Sequence, residues 1–260
     1  MSIERRNPVS RMMARLCRQY LRHQNGYSYD FVRGGEQNVL RRLAQLPVRT
    51  IFDVGANVGD WSKIAARYLP QANFHTFELS AATYASLVEN LNDSRFRHNH
   101  CALSDQTGTL TYKDYGANSG VNTILTQADY HDARITPKEI SANVTTGDLY
   151  AKAHGIEAID FLKIDVEGAE HLVLKGFAGM LASGSIRCLQ FEYGYTNGDV
   201  HFLMRDFYKL LGGYGYVIAR VRRWPLKFEE FHYSLNDFDS GPNYLAIQKG
   251  DTEAQAALTA

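Results

Sequence analysis

The chain has 260 residues, 45% of them apolar and 22% charged, enough to bury a large core without disulfide or metal staples. Lys plus Arg equals Asp plus Glu at 28 each, so bulk charge indicates no polyanionic partner. The three cysteines, Cys17, Cys101 and Cys188, make neither a disulfide framework nor a zinc motif, no window reaches 18 apolar residues, and the basic N-terminus lacks the apolar stretch of a secretory signal; a reduced, cytoplasmic protein is expected.

Charge is unevenly placed, because the first 49 residues hold ten arginines against Glu4, Asp30 and Glu36. Residues 1–46 read as a helical extension. Val9, Met12, Met13, Leu16, Tyr20 and Leu21 recur at spacings of three and four with arginine on the other face. A second helix covers Glu36 to Leu46 and stops before Pro47. Docking of this extension on the domain is the plainer expectation. Peripheral contact of the basic helix with an anionic membrane, or pairing into a homodimer, are the alternatives.

A main domain over 47–250 is expected from alternating strands and helices, which argue for a mostly parallel sheet covered on both faces. Val48–Val54 is a strand, and a helical stripe runs from Val58 to Leu69. Asn73–Glu78 is a strand, and Ser80 caps a helix carrying Tyr84, Leu87, Val88 and Leu91. Phe96–Leu103 and Thr109–Lys113 are strands. Asp114–Asn122 reads as a mobile loop or lid, and 123–145 has no clear period. Ile159–Asp165 is a strand, followed by one helix from Ala169 to Met180. Arg187–Tyr193 is a strand, Asp199 caps a helix over Val200–Leu211, and Tyr214–Val221 with Asn243–Gln248 suit a terminal hairpin. Residues 251–260 are expected to be a flexible tail.

The segment Ile51-Phe-Asp53-Val-Gly55-Ala-Asn57-Val-Gly59-Asp60-Trp61 runs from an apolar strand through a glycine turn into a helix. Ligands of such sheets sit beyond the carboxyl ends of the strands. Glu78 follows at the end of the next strand, where a carboxylate can take both hydroxyls of a ribose. A dinucleotide fingerprint needs glycine at three positions occupied here by Gly55, Asn57 and Asp60. Asn57 would obstruct a pyrophosphate, and Asp53 and Asp60 would repel it. A cationic adenosyl ligand reverses the sign, and Asp53 can favour it directly or through water. S-adenosylmethionine is therefore preferred over NAD.

These segments, IFDVGANVGDWS (51–62), TFELS (76–80), CALSD (101–105), DFLKIDVEGAEHLVLKG (160–176) and QFEYG (190–194), resemble the FkbM-type methyltransferases. The resemblance spans about Thr50 to Gly194. It implies a Rossmann-like class I methyltransferase fold, with a seven-stranded sheet whose antiparallel strand lies at the edge, and S-adenosylmethionine-dependent O-methylation. Carried over, Asp53, Gly55, Asn57 and Gly59 belong to the methionine end of the cofactor, and Glu78 binds the ribose with Leu79 beside the adenine. Ala102, through its backbone, and Leu103 line the adenine, and Asp165 lies beside the transferable methyl. Family acceptors are mostly hydroxyls of sugars, glycolipids and polyketides.

An alcohol must lose a proton as it attacks, so a base or a metal is needed. Asp165 and Glu192 end successive strands and are the candidate catalytic pair. Asp165, Glu167 and Glu192 are candidate ligands for a divalent ion such as Mg²⁺, with Glu170 either joining them or facing water. Lys163 is a candidate ion-pair partner for this cluster. His75 and His171 suit packing better than catalysis. Tyr193, Tyr195, His232 and Tyr233 are candidate acceptor contacts, and Arg222–Tyr233 either binds an anionic or carbohydrate acceptor or covers the sheet edge. The expected activity is methylation of a hydroxyl on a sugar or on a glycan or lipopolysaccharide intermediate. Its rivals are methylation of a polyketide or other secondary metabolite, and S-adenosylmethionine binding without turnover. No base pocket or RNA-binding module points to a nucleic acid.

Overall fold

In chain order the helices are α1 (Pro8–Asn25), α2 (Glu36–Leu43), α3 (Asp60–Tyr68), α4 (Ala81–Asn90), α5 (Gly147–Ala153), α6 (Glu170–Gly176), α7 (Ala178–Ala182), α8 (Tyr195–Asp199), α9 (Met204–Gly213) and α10 (Thr252–Thr259). The strands are β1 (Thr50–Val54), β2 (Asn73–Phe77), β3 (Phe96–Asn99), β4 (Ala102–Leu103), β5 (Gly108–Asp114), β6 (Lys138–Thr145), β7 (Ile159–Ile164), β8 (Ile186–Glu192), β9 (Tyr216–Arg220) and β10 (Asn243–Gln248). This computed structural model describes residues 7–116, 124, 137–223, 226–238 and 241–259.

Seven strands form one sheet in the order β3-β2-β1-β7-β8-β10-β9. All pairs are parallel except those of β10, which runs antiparallel to both β8 and β9. The expected fold class holds: a mostly parallel, Rossmann-like seven-stranded sheet with helices on both faces. One detail changes, because the antiparallel strand lies one place inside the edge and β9 is the edge itself.

Alternation along each strand sends Phe52, Val54, Leu162 and Ile164 to one core. Ile51, Phe161 and Cys188 go to the other, under α2, α3 and α10. A second, three-stranded sheet, β4-β6-β5, was not anticipated. The expected strand over Phe96–Leu103 breaks after Asn99. Its first half pairs with β2, and its second, Ala102–Leu103, pairs with β6. That partner, Lys138–Thr145, is the end of the stretch whose sequence showed no period. Of the expected loop over 114–122, residues 117–122 lie outside the described residues.

Three further expectations change. The helix placed over Val200–Leu211 begins only at Met204, because His201 sits at φ 56° and breaks the path. Asp199 ends α8, and Asp206 rather than Asp199 accepts the Leu203 N–H at 3.0 Å. Ser80 occupies the N-cap of α4, but its side chain makes no cap bond. The tail is helix α10, whose Ala254 and Leu258 are fully buried.

The N-terminal extension divides into two unlike parts. Helix α2 buries Val39, Leu40 and Leu43, worth about 1.5–3 kcal/mol for each larger side chain. Helix α1 is capped by Asn7, whose Oδ1 accepts the Val9 N–H at 3.0 Å, and ends at Gly26 in the left-handed region. It buries no residue at all.

Candidate active site

Two short sequence patterns build the centre. Lys163-x-Asp165 closes β7 and Gln190-x-Glu192 closes β8, and the register sets Lys163 opposite Gln190. On the other side of β7, Asp53 of β1 is the register partner of Lys163. A period of two therefore lays these polar groups on one face of the sheet, at its carboxyl end. Glu36, the first residue of α2, comes down on them and accepts a hydrogen bond from Gln190 Nε2 at 2.8 Å.

Lys163 Nζ lies 2.8 Å from Asp165 Oδ2 and 3.8 Å from Asp53 Oδ1. Burial alone would lower its pKa, but the charges of Asp165, Asp53 and Glu36 reverse that and raise it. Lys163 is thus held as a cation, as the ion-pair role expected for it requires. Burial alone would also raise Asp165, yet Lys163 and a hydrogen bond with Glu192 outweigh it and hold Asp165 below the usual carboxylate range. The Asp165 side chain is still 39% exposed, so it lines a crowded recess that opens to solvent. Glu192 is pushed well above its ordinary value, first by burial and then by the charge of Asp165. The two carboxyls behave as a pair sharing one proton.

Asp165, Glu167 and Glu192 each bring a carboxylate oxygen within 4.8 Å of the others. Their number, hardness and spacing fit a divalent cation with oxygen ligands. Glu170 neither joins them nor faces water. It is 1% exposed, accepts the N–H groups of Val166 and Gly168 at 3.1 Å each, and accepts from Asn197 Nδ2 at 3.1 Å. Burial raises its pKa to about 7. Its task is to hold the turn in which Glu167, at φ 57°, adopts a left-handed conformation that non-glycine residues rarely take.

The glycine turn lies beside this centre. Gly55 has φ 82°, and a Cβ there would stand 1.8 Å from the carbonyl oxygen of Asp165. Glycine is required for that close approach. Glu78 ties the turn to the end of β2. It is 5% exposed and accepts the Asn57 N–H at 3.0 Å on Oε2 and the Ser80 N–H at 2.9 Å on Oε1. The backbone N–H of Leu79 also acts on this carboxylate, which at the end of β2 retains acceptor capacity for a ribose hydroxyl. Gly55, Leu79, Ala102 and Leu103 all line one apolar slot, together with Phe77 and Ile124. Its free interior is about 20 Å³, so an adenine requires its walls to part. Acceptor capacity on Glu78, an apolar slot beside it and a backbone at van der Waals limit fit an adenosyl ligand.

Asp53 differs from expectation. It is fully buried, with Oδ2 accepting from Ser62 Oγ at 2.6 Å. Its other oxygen, Oδ1, has no hydrogen-bond partner among the described residues and faces Lys163 Nζ. Among the acceptor candidates, Tyr193 is 1% exposed and donates to the Asn236 carbonyl at 3.0 Å, so it belongs to the core. Tyr195 and Tyr233 are exposed, as is His232. Phe228 forms a bridge to Ala219 of β9, so part of 222–233 does cover the sheet edge; Trp224 and Pro225 lie outside the described residues. His75 and His171 are packed, His75 against the Tyr150 hydroxyl at 2.8 Å and His171 on the ring of Phe202.

Sequence reasoning missed Glu36, Gln190 and Tyr29. Gln190 was within reach, since it shares the alternation of Glu192. Glu36 and Tyr29 come from the extension, and only tertiary packing brings them here. Tyr29 is 65% exposed, but enclosure around its hydroxyl, a bond from Tyr27 and the charge of Glu192 raise its pKa beyond the ordinary tyrosine range.

The chain is similar to several known proteins. Methyltransferase sdnD of Sordaria araneosa is 33% identical over 162 residues, 52% of this chain and 62% of that protein, so the chain spans less than two thirds of that relative. The 31-O-demethyl-FK506 methyltransferase FkbM of Streptomyces tacrolimicus is 29% identical over 60% of this chain and 74% of its own length. The hexuronic acid methyltransferase AglP of Haloferax volcanii is 27% identical over 66% and 69%. Among solved structures, a putative O-methyltransferase from Klebsiella pneumoniae aligns over 95% of this chain and 93% of its own with a TM-score of 0.45 at 15% identity, a likeness too distant to bear on function. The model of the methyltransferase FkbM domain matches residues 53–219. The chain belongs to the FkbM family of S-adenosylmethionine-dependent methyltransferases.

Proposed function

We propose that the protein transfers a methyl group to a hydroxyl of a sugar or glycan intermediate. The observation that carries this reading is the register of Lys163-x-Asp165 against Gln190-x-Glu192, which sets a one-proton carboxyl pair beside the glycine turn. Bound S-adenosylmethionine supplies an electrophilic methyl on a cationic sulfur, which keeps the bonding electron pair when the acceptor oxygen attacks. Asp165 faces that centre as an anion, and the Asp165–Glu192 pair, once its shared proton has left, accepts the hydroxyl proton and passes it to solvent. Glu78 holds the ribose. Leu79, Ala102 and Leu103 hold the adenine, and Gly55, Asn57 and Gly59 shape the turn at the methionine end. Asp165, Glu167 and Glu192 would hold a divalent cation, and such an ion would supply Lewis acidity toward the acceptor hydroxyl. The carboxylates of Asp165, Glu167 and Glu192 gathered at the centre support a sugar over an apolar polyketide acceptor. The O-methyltransferase FkbM and the hexuronic acid enzyme AglP, at 29% and 27% identity, support transfer to oxygen. The test is incubation with methyl-labelled S-adenosylmethionine and a panel of sugar and polyketide acceptors, and label appearing only in polyketides would overturn the sugar reading.

Replacing Glu78 by alanine removes the ribose acceptor and is expected to weaken S-adenosylmethionine binding about 10- to 100-fold, the value of a hydrogen bond to a charged group. Calorimetric titration measures this directly. The same substitution at Asp53 is a poorer probe, because it also strands Lys163 and Ser62.

Helix α1 supports peripheral attachment of the enzyme. Val9, Met12, Met13, Leu16 and Tyr20 are each more than half exposed on one side, and by helical spacing Arg11, Arg15, Arg18 and Arg22 occupy the other. No helix among the described residues is long and apolar enough to cross a membrane. A helix of this kind lies flat in an anionic interface. Sedimentation with anionic but not with neutral vesicles is expected, and it should disappear on deleting residues 1–25. Pairing of copies through α1 would instead show as a concentration-dependent mass in light scattering. The three cysteines are free thiols, which supports a reducing, cytoplasmic setting.

A further inference from the structure

The ladder between β7 and β8 ends at the pair Ile164–Phe191, one residue short of Asp165 and Glu192. The two carboxyls therefore stand on chain ends that the sheet no longer ties to each other. Past Asp165 the chain enters the turn 166–168, and past Glu192 it runs through Tyr193 and Gly194 into α8. Two side chains bridge these departing segments. Glu170, the first residue of α6, accepts the Val166 and Gly168 N–H groups on Oε1 at 3.1 Å each, one on either side of Glu167. Its Oε2 accepts from Asn197 Nδ2 at 3.1 Å. Asn197 Oδ1 in turn accepts the Gly194 N–H at 2.8 Å. Both side chains are fully buried.

The bridge is complementary atom by atom. The groups bonded to Glu170 are all donors, which suits a carboxylate, an acceptor at both oxygens. The same rule orients the Asn197 amide, since the Gly194 N–H demands Oδ1 and that leaves Nδ2 for Glu170. Reversing the amide would set donor against donor at Gly194 and acceptor against acceptor at Glu170. Such a mismatch is costly in a buried site, where a polar group left unpaired bears its full desolvation cost. The link is directional, and it holds the two segments at one separation.

What the bridge holds is the geometry of the centre. Glu167 sits between the two N–H groups bonded to Glu170 and keeps its left-handed conformation there. Its carboxylate stays within 4.8 Å of those of Asp165 and Glu192. Asp165 and Glu192 are hydrogen-bonded to each other, which requires their chain ends to stay aligned past the last ladder pair. The Asp165 N–H bonds outward to the Val54 carbonyl at 2.9 Å, and the Tyr193 N–H outward to the Pro242 carbonyl at 2.8 Å. Neither of those bonds joins the two ends. Glu170 and Asn197 do, and a displacement of about 1 Å at a reacting group can cost about 100-fold in rate.

We infer that Glu170 and Asn197 are positioning residues for methyl transfer, whose hydrogen-bonded bridge sets the separation of Asp165 and Glu192. This inference rests on the methyltransferase reading above and deepens it. The test exchanges donor and acceptor within the bridge. Glu170→Gln keeps an oxygen on the Val166 and Gly168 N–H groups but turns an amide NH₂ toward Asn197 Nδ2. Asn197→Asp turns a second carboxylate oxygen toward that of Glu170. Each single change breaks the link. The double change Glu170→Gln/Asn197→Asp rebuilds it with donor and acceptor swapped and the charge unaltered. Crystal structures of the wild type and the three variants read the positions directly. The Asp165–Glu192 hydrogen bond is expected to be lost in the single variants and present in the double variant. Transfer from methyl-labelled S-adenosylmethionine to the sugar that the wild type methylates is expected to follow, with kcat down about 100-fold in each single variant and within about threefold of wild type in the double. Calorimetric affinity for S-adenosylmethionine is expected to be unchanged throughout. Glu170→Gln retains two of the three bonds and is expected to fold. A bridge that only stabilised the fold would lower the melting temperature and leave kcat of the folded enzyme unchanged, and that result overturns the inference. Single variants that keep the carboxyl pair together, or a double variant that fails to restore it, also overturn it. The structural comparison needs no acceptor, so a wild type that transfers no label counts against the methyltransferase reading while the bridge is still decided by the structures.

Discussion

Replacing Glu192 by glutamine is expected to lower the rate of methyl transfer about 10²- to 10⁴-fold, the usual contribution of a positioned base, while S-adenosylmethionine affinity stays within about twofold. Glutamine keeps the shape of the side chain but cannot take up the shared proton. In the wild type the rate rises with pH as that proton leaves. Because burial and Asp165 push Glu192 well above its ordinary value, this limb lies above the usual carboxylate range. In the variant only Asp165 remains. Lys163 holds that group below the ordinary range, so the raised limb is expected to vanish. Initial rates of label transfer across the pH range, on an acceptor that the wild type turns over, check both statements. A variant with unchanged rate and unchanged profile would remove the pair from the chemistry.

Lys163→Met carries the largest expected effect on stability, a loss of about 3–5 kcal/mol, as when one partner of a buried ion pair is removed. Lys163 is 5% exposed and is the cation that faces Asp53, Asp165 and Glu36. Methionine fills the space and leaves three acids without it. The folded pKa values of all three then rise, those of Asp53 and Glu36 further above the unfolded ones and that of Asp165 up from below it. Wherever a folded value exceeds the unfolded one, the folded state binds more protons than the unfolded chain between the two. Stability falls as pH rises through that interval. The deficit is therefore expected to be greatest near neutrality and to shrink as pH falls toward the ordinary carboxylate range. Urea unfolding of wild type and variant at neutral and mildly acid pH measures the difference. Where Lys163→Met does not fold at neutral pH, the double change Lys163→Met/Asp165→Asn is expected to recover part of the loss. A deficit that grows on acidification would contradict the assignment.

The parts of this architecture that could be read from the sequence are those whose signal is local. Strand, glycine turn and helix around Gly55 obey backbone rules, and the alternation Lys163-x-Asp165 and Gln190-x-Glu192 follows from the pleat of a strand. The signals that failed are tertiary. Asp199 looked like a helix cap, but the left-handed His201 behind it stops the helix. Ala254 and Leu258 have helical spacing, yet only the groove beside α2 decides that they are buried rather than frayed. The burial of Asp53 under α3, with Ser62 on one of its oxygens, likewise has no local signal at the strand end. Tyr29 and Glu36 belong to an extension whose docking was expected but whose points of contact no local pattern gives. Gly35, which packs the extension against the end of β9, has meaning only beside the backbone of Arg222.

The most direct test of the central claim is calorimetric titration of the wild-type protein with S-adenosylmethionine, with NADH as the control. The glycine turn, the lone pairs of Glu78 and the acids beside them predict saturable binding of S-adenosylmethionine and none of NADH. Binding of NADH instead, or no binding of S-adenosylmethionine to well-folded protein, would contradict the account.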